Sequence, residues 1–197
     1  MALKNTNTEN PSRFKIVEYE DASPRVQAIY DDTKKSLQLP FVLNWFKCQG
    51  NNATLLEGNW TKLKTTLVEG EVPSLLKHLI LYNVSSKKKC NYCIQAHGAF
   101  ADSMGKVLND DASFRVSQNM DSDIIPKSYK TAITIVSKAA LEPRNITHAD
   151  FEELQHAGFD DVEIQELMAQ ADLVNMLNTI ADVCGIQIDN ELLELKA

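Results

Sequence analysis

No stretch of the 197-residue sequence comes near the roughly 20 consecutive apolar residues that a membrane-crossing helix needs. The opening MALKNTNTENPSRF also lacks the apolar run of about 7 to 15 residues found in a secretory signal. Export by that route is not expected, and the chain reads as a soluble, cytoplasmic protein with no membrane partner. Positive charge is scarce as well: 20 Lys and Arg stand against 27 Asp and Glu, a net charge of -7, and residues 87–89 are the only basic run. Such a surface repels phosphate backbones, which excludes nucleic acid as a partner. Three lysines in a row read as a solvated loop. Strict apolar–polar alternation is confined to RFKIVEY near the N-terminus, a short strand or an extended arm. Internal repeats and low-complexity tracts are absent.

Cysteine is sparse, with four in the chain. A protein of this length buries an adequate core without disulfides, and absence of a secretory signal points to a reducing compartment. Cys48 and Cys184, in NWFKCQ and IADVCGI, stand alone in apolar surroundings and read as small core hydrophobes.

What the sequence does contain is helical periodicity nearly throughout. Ser23 caps a helix opened by Pro24, with a stripe of Val26, Ile29, Tyr30, Thr33 and Leu37 ending before Pro40. A second segment spans residues 41–47, and a third spans 52–68 with Leu55, Leu56, Trp60, Leu63 and Leu67 at helical spacing. Pro73 opens a fourth, burying Leu75, Leu76, Leu79, Ile80 and Val84 and ending in a loop at 85–89. A fifth covers residues 91–104 and stops at Gly105. After a short helix near 112–118, Pro126 starts another through Tyr129, Ile133, Val136 and Ala140. Thr147 caps the next, and Asp160 with Glu163 forms a capping box for a long helix ending at Cys184-Gly185. Short loops between these segments predict one all-α domain over residues 23–197, with residues 1–22 as an arm.

The fifth helix carries the chemistry. In KKKCNYCIQAHGAF, Cys90, Cys93 and His97 fall on one helical face. Spacing alone leaves three readings. The first is a redox dithiol at a helix N-terminus, where the dipole, Lys87, Lys88, Lys89 and His97 favour thiolate and lower a thiol pKa from about 8.5 towards about 3.5 to 7.5. The second is zinc, for which the motif supplies three of four ligands and His78, Cys48 or Cys184 would have to fold back as the fourth. The third is a pair of inert buried thiols. No second C-x-x-C or H-x-H cluster accompanies the motif, which favours redox chemistry without metal or other cofactor. Tyr92, between the cysteines, reads as exposed packing. Gly98 inside a helix implies a close neighbour, and Asn175 and Asn178 read as groups satisfying backbone at a helix crossing.

CNYCIQAH, together with VPSLLKHLILYNVSSKKKCNYC before it and ITHADFEELQHAGFDDVEIQELMAQADLVNMLNTIADVCGI near the C-terminus, resembles the carboxymuconolactone decarboxylase superfamily. Within it, the sequence is similar to alkylhydroperoxidase D-like, peroxidase-related proteins over residues 40–189. The resemblance implies an all-α, alkylhydroperoxidase D-like, homo-oligomeric antioxidant enzyme that reduces a hydroperoxide and is recycled by a thiol or dithiol reductant protein. It implies Cys93 as the peroxidatic thiol, Cys90 as the resolving thiol, and His97 as a proton relay that stabilises the thiolate as imidazolium. One position departs from the family pattern: the relay glutamate expected twelve residues before the first cysteine is His78. Glu69 and Glu71 are candidate substitutes. Lactone decarboxylation does not need a cysteine pair; a non-enzymatic redox sensor or binding protein would use the same reversible disulfide.

Overall fold

The computed structural model describes residues 12–194 apart from 110 and 112. Among these, helices α1 (Pro24–Leu37), α2 (Asn44–Lys47), α3 (Ala53–Leu63), α4 (Ser74–Lys88), α5 (Asn91–Gly105), α6 (Lys127–Leu141), α7 (His148–His156), α8 (Asp161–Cys184) and α9 (Asn190–Glu194) follow in order, with no strand. RFKIVEY is therefore not a strand. It runs extended over its own chain: Arg13 N–H donates to Cys184 O at 2.8 Å and Val17 N–H to Lys47 O at 3.1 Å. The first eleven residues of the expected arm lie outside the described residues.

Local chemistry sets most boundaries. Ser23 Oγ accepts from Val26 N–H ahead of α1, and Asp160 accepts from Val162 and Glu163 N–H while the Glu163 carboxylate accepts from Asp160 N–H ahead of α8. Gly185 then ends α8 at φ +64°, a left-handed conformation that costs glycine nothing. Other expected boundaries differ. The second segment is helical only from Asn44, and α3 passes into a π-helical turn over Lys64–Val68 rather than continuing as α-helix.

α4 lies at the centre, packed against α5, α6 and α8. Its Leu76, Leu79, Ile80, Leu81 and Val84 are fully buried, each side chain contributing about 1.5–3 kcal/mol. A helix surrounded in this way must also bury polar residues, and α4 buries Lys77 and His78. Lys77 Nζ donates to Glu69 O and pairs with the Glu166 carboxylate of α8, which also accepts from Glu71 and Val72 N–H. One buried ion pair thus fixes the turn before α4 onto α8. This also accounts for Glu69 and Glu71: their side chains are exposed and only their backbone groups are engaged here.

α4 does not dissolve into a loop at 85–89. It stays helical to Lys88, and the break is Lys89 alone, at φ +61°. Lys89 N–H bonds Ser86 O at 3.2 Å and Cys90 N–H bonds Ser85 O at 3.0 Å, the two bonds of a Schellman closure. The lysines at 87–89 are exposed, and Lys87 and Lys88 sit where the helix dipole favours positive charge.

Truncating Lys77 to alanine leaves the largely buried Glu166 carboxylate without its cation. The expected loss is about 3–5 kcal/mol of stability, read from urea denaturation, whereas a surface Lys88→Ala control should move it by less than about 1 kcal/mol.

Candidate active site

Cys90 ends one helix and begins the next. Its carbonyl accepts from Ile94 N–H at 3.0 Å, so it is the N-cap of α5 while its own amide still closes α4. Cys93 follows one turn in, with Ala96, His97 and Phe100 along the same side. Both thiols are buried and reduced. The neighbouring Cys90 thiol, followed by burial, pushes the Cys93 thiol well above its ordinary pKa. Lys87, Lys88 and Lys89, out in solvent, do not offset that, so the expected bias towards thiolate from the lysines is not found. Desolvation outweighs charges screened by water.

α8 supplies a further polar group. Asn178 Nδ2 donates to Ser85 Oγ at 2.9 Å, and the same side chain is near enough to Cys93 to favour its thiolate. Asn178 O also faces Cys90 Sγ at 3.9 Å. Asn178 therefore does more than bridge helices, the role expected of it. Asn175 keeps that role, donating to Ala140 O at 2.9 Å.

His78 of α4 meets His97 of α5, Nδ1 to Nδ1 at 3.2 Å. One ring must donate its Nδ1–H and the other accept, so the pair shares a proton position but cannot carry a proton on both facing nitrogens. Burial, reinforced by the Lys77 cation, lowers the His78 pKa to about 4; burial, then His78, holds His97 well below its usual range. His97 is thus neutral, contrary to the expected imidazolium. Phe100 covers the other side of His78 at 5.0 Å between ring centroids.

Tyr92 is not exposed packing: it is 6% exposed. Its hydroxyl donates to Asp189 Oδ2 at 2.7 Å and accepts from Trp45 N–H at 3.4 Å, while Asp189 Oδ1 accepts from Asn44 N–H at 2.7 Å. The segment after α8 thereby pins the motif helix to α2. Asp189 is not singled out by the sequence, although an acid directly after Ile186 and Ile188 is a weak signal of a buried carboxylate. Gly98 does have the close neighbour expected: a Cβ there would stand 3.2 Å from the Tyr82 ring.

Cys93, His97 and His78 line a cavity of about 40 Å³, walled by Trp45, Phe46, Tyr92, Phe100 and leucines and almost wholly apolar. That holds about three water-sized spheres. Beyond His78 and Phe100 lies an open groove of about 430 Å³ with Gln38, Ser74 and Ser103 on its sides. His78, Phe100, Leu37 and Leu67 line both spaces, so they form the partition between them. Among the described residues no three His, Cys, Asp or Glu side chains converge as a metal-binding group, and no helix is long and apolar enough to cross a membrane.

A buried neutral histidine makes stability depend on pH. The folded pKa of His78 is depressed below the unfolded value of about 6.5, so the unfolded chain binds more protons between about 4 and 6.5. Stability is complete above that window and declines as pH falls through it, by roughly 3 kcal/mol for His78 alone. Urea denaturation from pH 7 to 4.5 should show this slope in the wild type and a shallower one in His78→Asn.

No protein-family model matches the chain, and no curated protein does. Solved structures do. An alkylhydroperoxidase AhpD core, an uncharacterized peroxidase-related protein from Ralstonia eutropha JMP134, superposes with a TM-score of 0.80 at 19% identity, over 95% of this chain and 97% of its own. An uncharacterized peroxidase-related protein from Silicibacter sp. TM1040 gives 0.76 at 22% identity, over 94% and 97%. A cysteine-to-alanine variant of the debrominase Bmp8, in complex with 2,3,4-tribromopyrrole, gives 0.72 at 18% identity, over 93% and 97%. The chain thus has the all-α fold of the alkylhydroperoxidase D core along nearly its whole length, and the resemblance seen in its motifs holds at the level of that fold.

Proposed function

We propose that the protein is a thiol-dependent oxidoreductase that reduces a hydroperoxide through Cys93 and Cys90, with His97 taking up the thiol proton. The observation that carries this reading is the buried, reduced Cys90–Cys93 thiol pair at the head of α5, with Cys93 lining a small apolar cavity that also contains the His97 imidazole. A neutral His97 is a base, and a base is what a thiol with a raised pKa requires. Once deprotonated, Cys93 Sγ attacks the distal oxygen of the hydroperoxide, the O–O bond breaks, and the alkoxide leaves as alcohol with the proton taken from the thiol. Cys90 then attacks the sulfenic acid, forming the disulfide and releasing water.

The size of the cavity argues for this substrate. A hydroperoxide group fits about 40 Å³, and His78 and Phe100 separate it from the larger groove.

His78 stands where the resemblance places a glutamate. A histidine relays a proton through Nδ1 but supplies no fixed negative charge to His97, so turnover at neutral pH depends on the neutral pair alone. The resulting disulfide would be returned to dithiol by a thiol or dithiol reductant protein, in a reducing compartment such as the cytoplasm. Assembly into a homo-oligomer belongs to the same proposal.

Peroxide consumption and thiol titration test it. Cys93→Ser should reduce consumption to background. Cys90→Ser should stop after about one equivalent of peroxide and accumulate a sulfenic acid trapped by dimedone. His97→Ala should lower the rate by roughly 100-fold or more while leaving the cysteines able to form a disulfide with a chemical oxidant. Wild-type behaviour in both cysteine variants would sink the proposal.

A further inference from the structure

Cys48 and Cys184, read from sequence as unrelated core residues, are neighbours in the fold. Cys48 is the C-cap of the four-residue α2 and Cys184 is the last residue of α8. Their thiols are close enough that Cys184, after burial, raises the Cys48 pKa, and both are buried and reduced. The backbone ties both segments to one short strap. Arg13 N–H bonds Cys184 O and Val17 N–H bonds Lys47 O, and the four steps of chain from Arg13 to Val17 span at most about 14 Å when extended. Around the pair, Tyr30 donates its hydroxyl to Val17 O at 3.1 Å, and Arg13 Nη1 donates to Asp182 O and Val183 O at 2.9 Å. Residues 12–17 thus form a strap tied down on both sides of the two sulfurs.

We propose that Cys48 and Cys184 are a second redox site, forming a reversible disulfide that clamps α2 and the N-terminal strap to the end of α8. The assignment does not depend on the Cys90–Cys93 reading. The oxidant is a hydroperoxide. Cys184, as thiolate, takes the distal oxygen and becomes a sulfenic acid, and the alkoxide departs as alcohol with the displaced thiol proton. Cys48 Sγ, which donates to Trp45 O at 3.2 Å and so keeps its proton while resting, then attacks the sulfenic sulfur. The S–S bond forms, and hydroxide leaves with the Cys48 proton as water. Two thiols lose two electrons and one hydroperoxide is reduced.

The clamp has a structural consequence. α2 carries Trp45 and Phe46, two walls of the cavity beside Cys93, and α8 carries Leu177, another. Joining the two helices covalently fixes those walls against each other, and the bond closes a loop of over 100 residues, the length at which cross-links restrict the unfolded chain most.

The experiment uses the full chain with Cys90→Ser and Cys93→Ser, which leaves Cys48 and Cys184 as its thiols. The variant is treated with one to ten equivalents of hydrogen peroxide, unfolded in N-ethylmaleimide, and examined by intact mass and peptide mapping. The expected result is loss of both alkylatable thiols, a mass lower by about 2 Da through loss of two hydrogens, and a dithiothreitol-sensitive peptide joining Cys48 to Cys184. The thermal midpoint of the oxidised form should be higher by roughly 5–15 °C. Wild type mapped in parallel should contain the same cross-linked peptide, which keeps the test valid if the double variant folds poorly. Two thiols that stay alkylatable, sulfinic acids formed singly, or a cross-link that leaves the midpoint unmoved would each overturn the proposal.

Discussion

The left-handed turn at Lys89 joins α4 to α5 with no loop between them, and the geometry of the thiol pair depends on it. Because Cys90 N–H closes α4 on Ser85 O while Cys90 O opens α5 on Ile94 N–H, the first cysteine has its backbone committed on both sides. Cys93 is then held one turn deeper by ordinary helical spacing. The same junction folds α5 back along α4, which brings His97 against His78. Ser85, whose carbonyl takes the closing bond, also receives the Asn178 amide through its hydroxyl, and the Asn178 carbonyl faces Cys90 Sγ. One lysine in a conformation that L-residues seldom adopt thus couples the ends of two helices to a third.

Dryness is the second constraint, and it follows from placing the motif on helices buried on several sides. In an apolar setting each titratable group is driven towards its neutral form: thiol for Cys93, imidazole for His78 and His97, phenol for Tyr92, and a raised pKa for Asp189. Charges in the neighbourhood do not reverse this. Lys77 adds to the depression of His78, and the lysines at 87–89 point into water. A site built this way stores its dithiol uncharged and has to move a proton before it reacts. It contains the neutral bases to do so, in a pair that can hold only one proton between the facing nitrogens.

Features set by local rules were legible in the sequence. The capping box of Asp160 and Glu163, the Pro24 start, the Gly185 stop and the apolar stripe of α4 each follow from residues within a turn of one another, and the structure reproduces them. The shared face of Cys90, Cys93 and His97 is of the same kind. What the sequence hid lies between elements. Tyr92 read as exposed because its partner, Asp189, arrives from the far end of the chain. Cys48 and Cys184 each looked solitary because helical periodicity carries no information on which helix ends meet. The π-helical turn after Leu63 was hidden for another reason: it keeps the apolar register of an α-helix while changing the hydrogen bonding, so Leu67 is buried either way.

α2 shows how far a site can rest on such distant contacts. Four residues are too few to form a helix unaided, since nucleation alone fixes more backbone than one hydrogen bond repays. Yet Trp45 and Phe46 must hold their places for the cavity to exist. The tethers come from elsewhere in the chain: Asp189 takes Asn44 N–H, Tyr92 takes Trp45 N–H, Leu177 O takes Trp45 Nε1–H at 3.2 Å, and Lys47 is bound through its carbonyl by Val17 and through its ammonium by Glu18. Both terminal segments therefore serve the same short helix. The shape of the space next to Cys93 is a property of how the two ends of the chain close over α2, and loosening either end acts on the site without touching a residue that lines it.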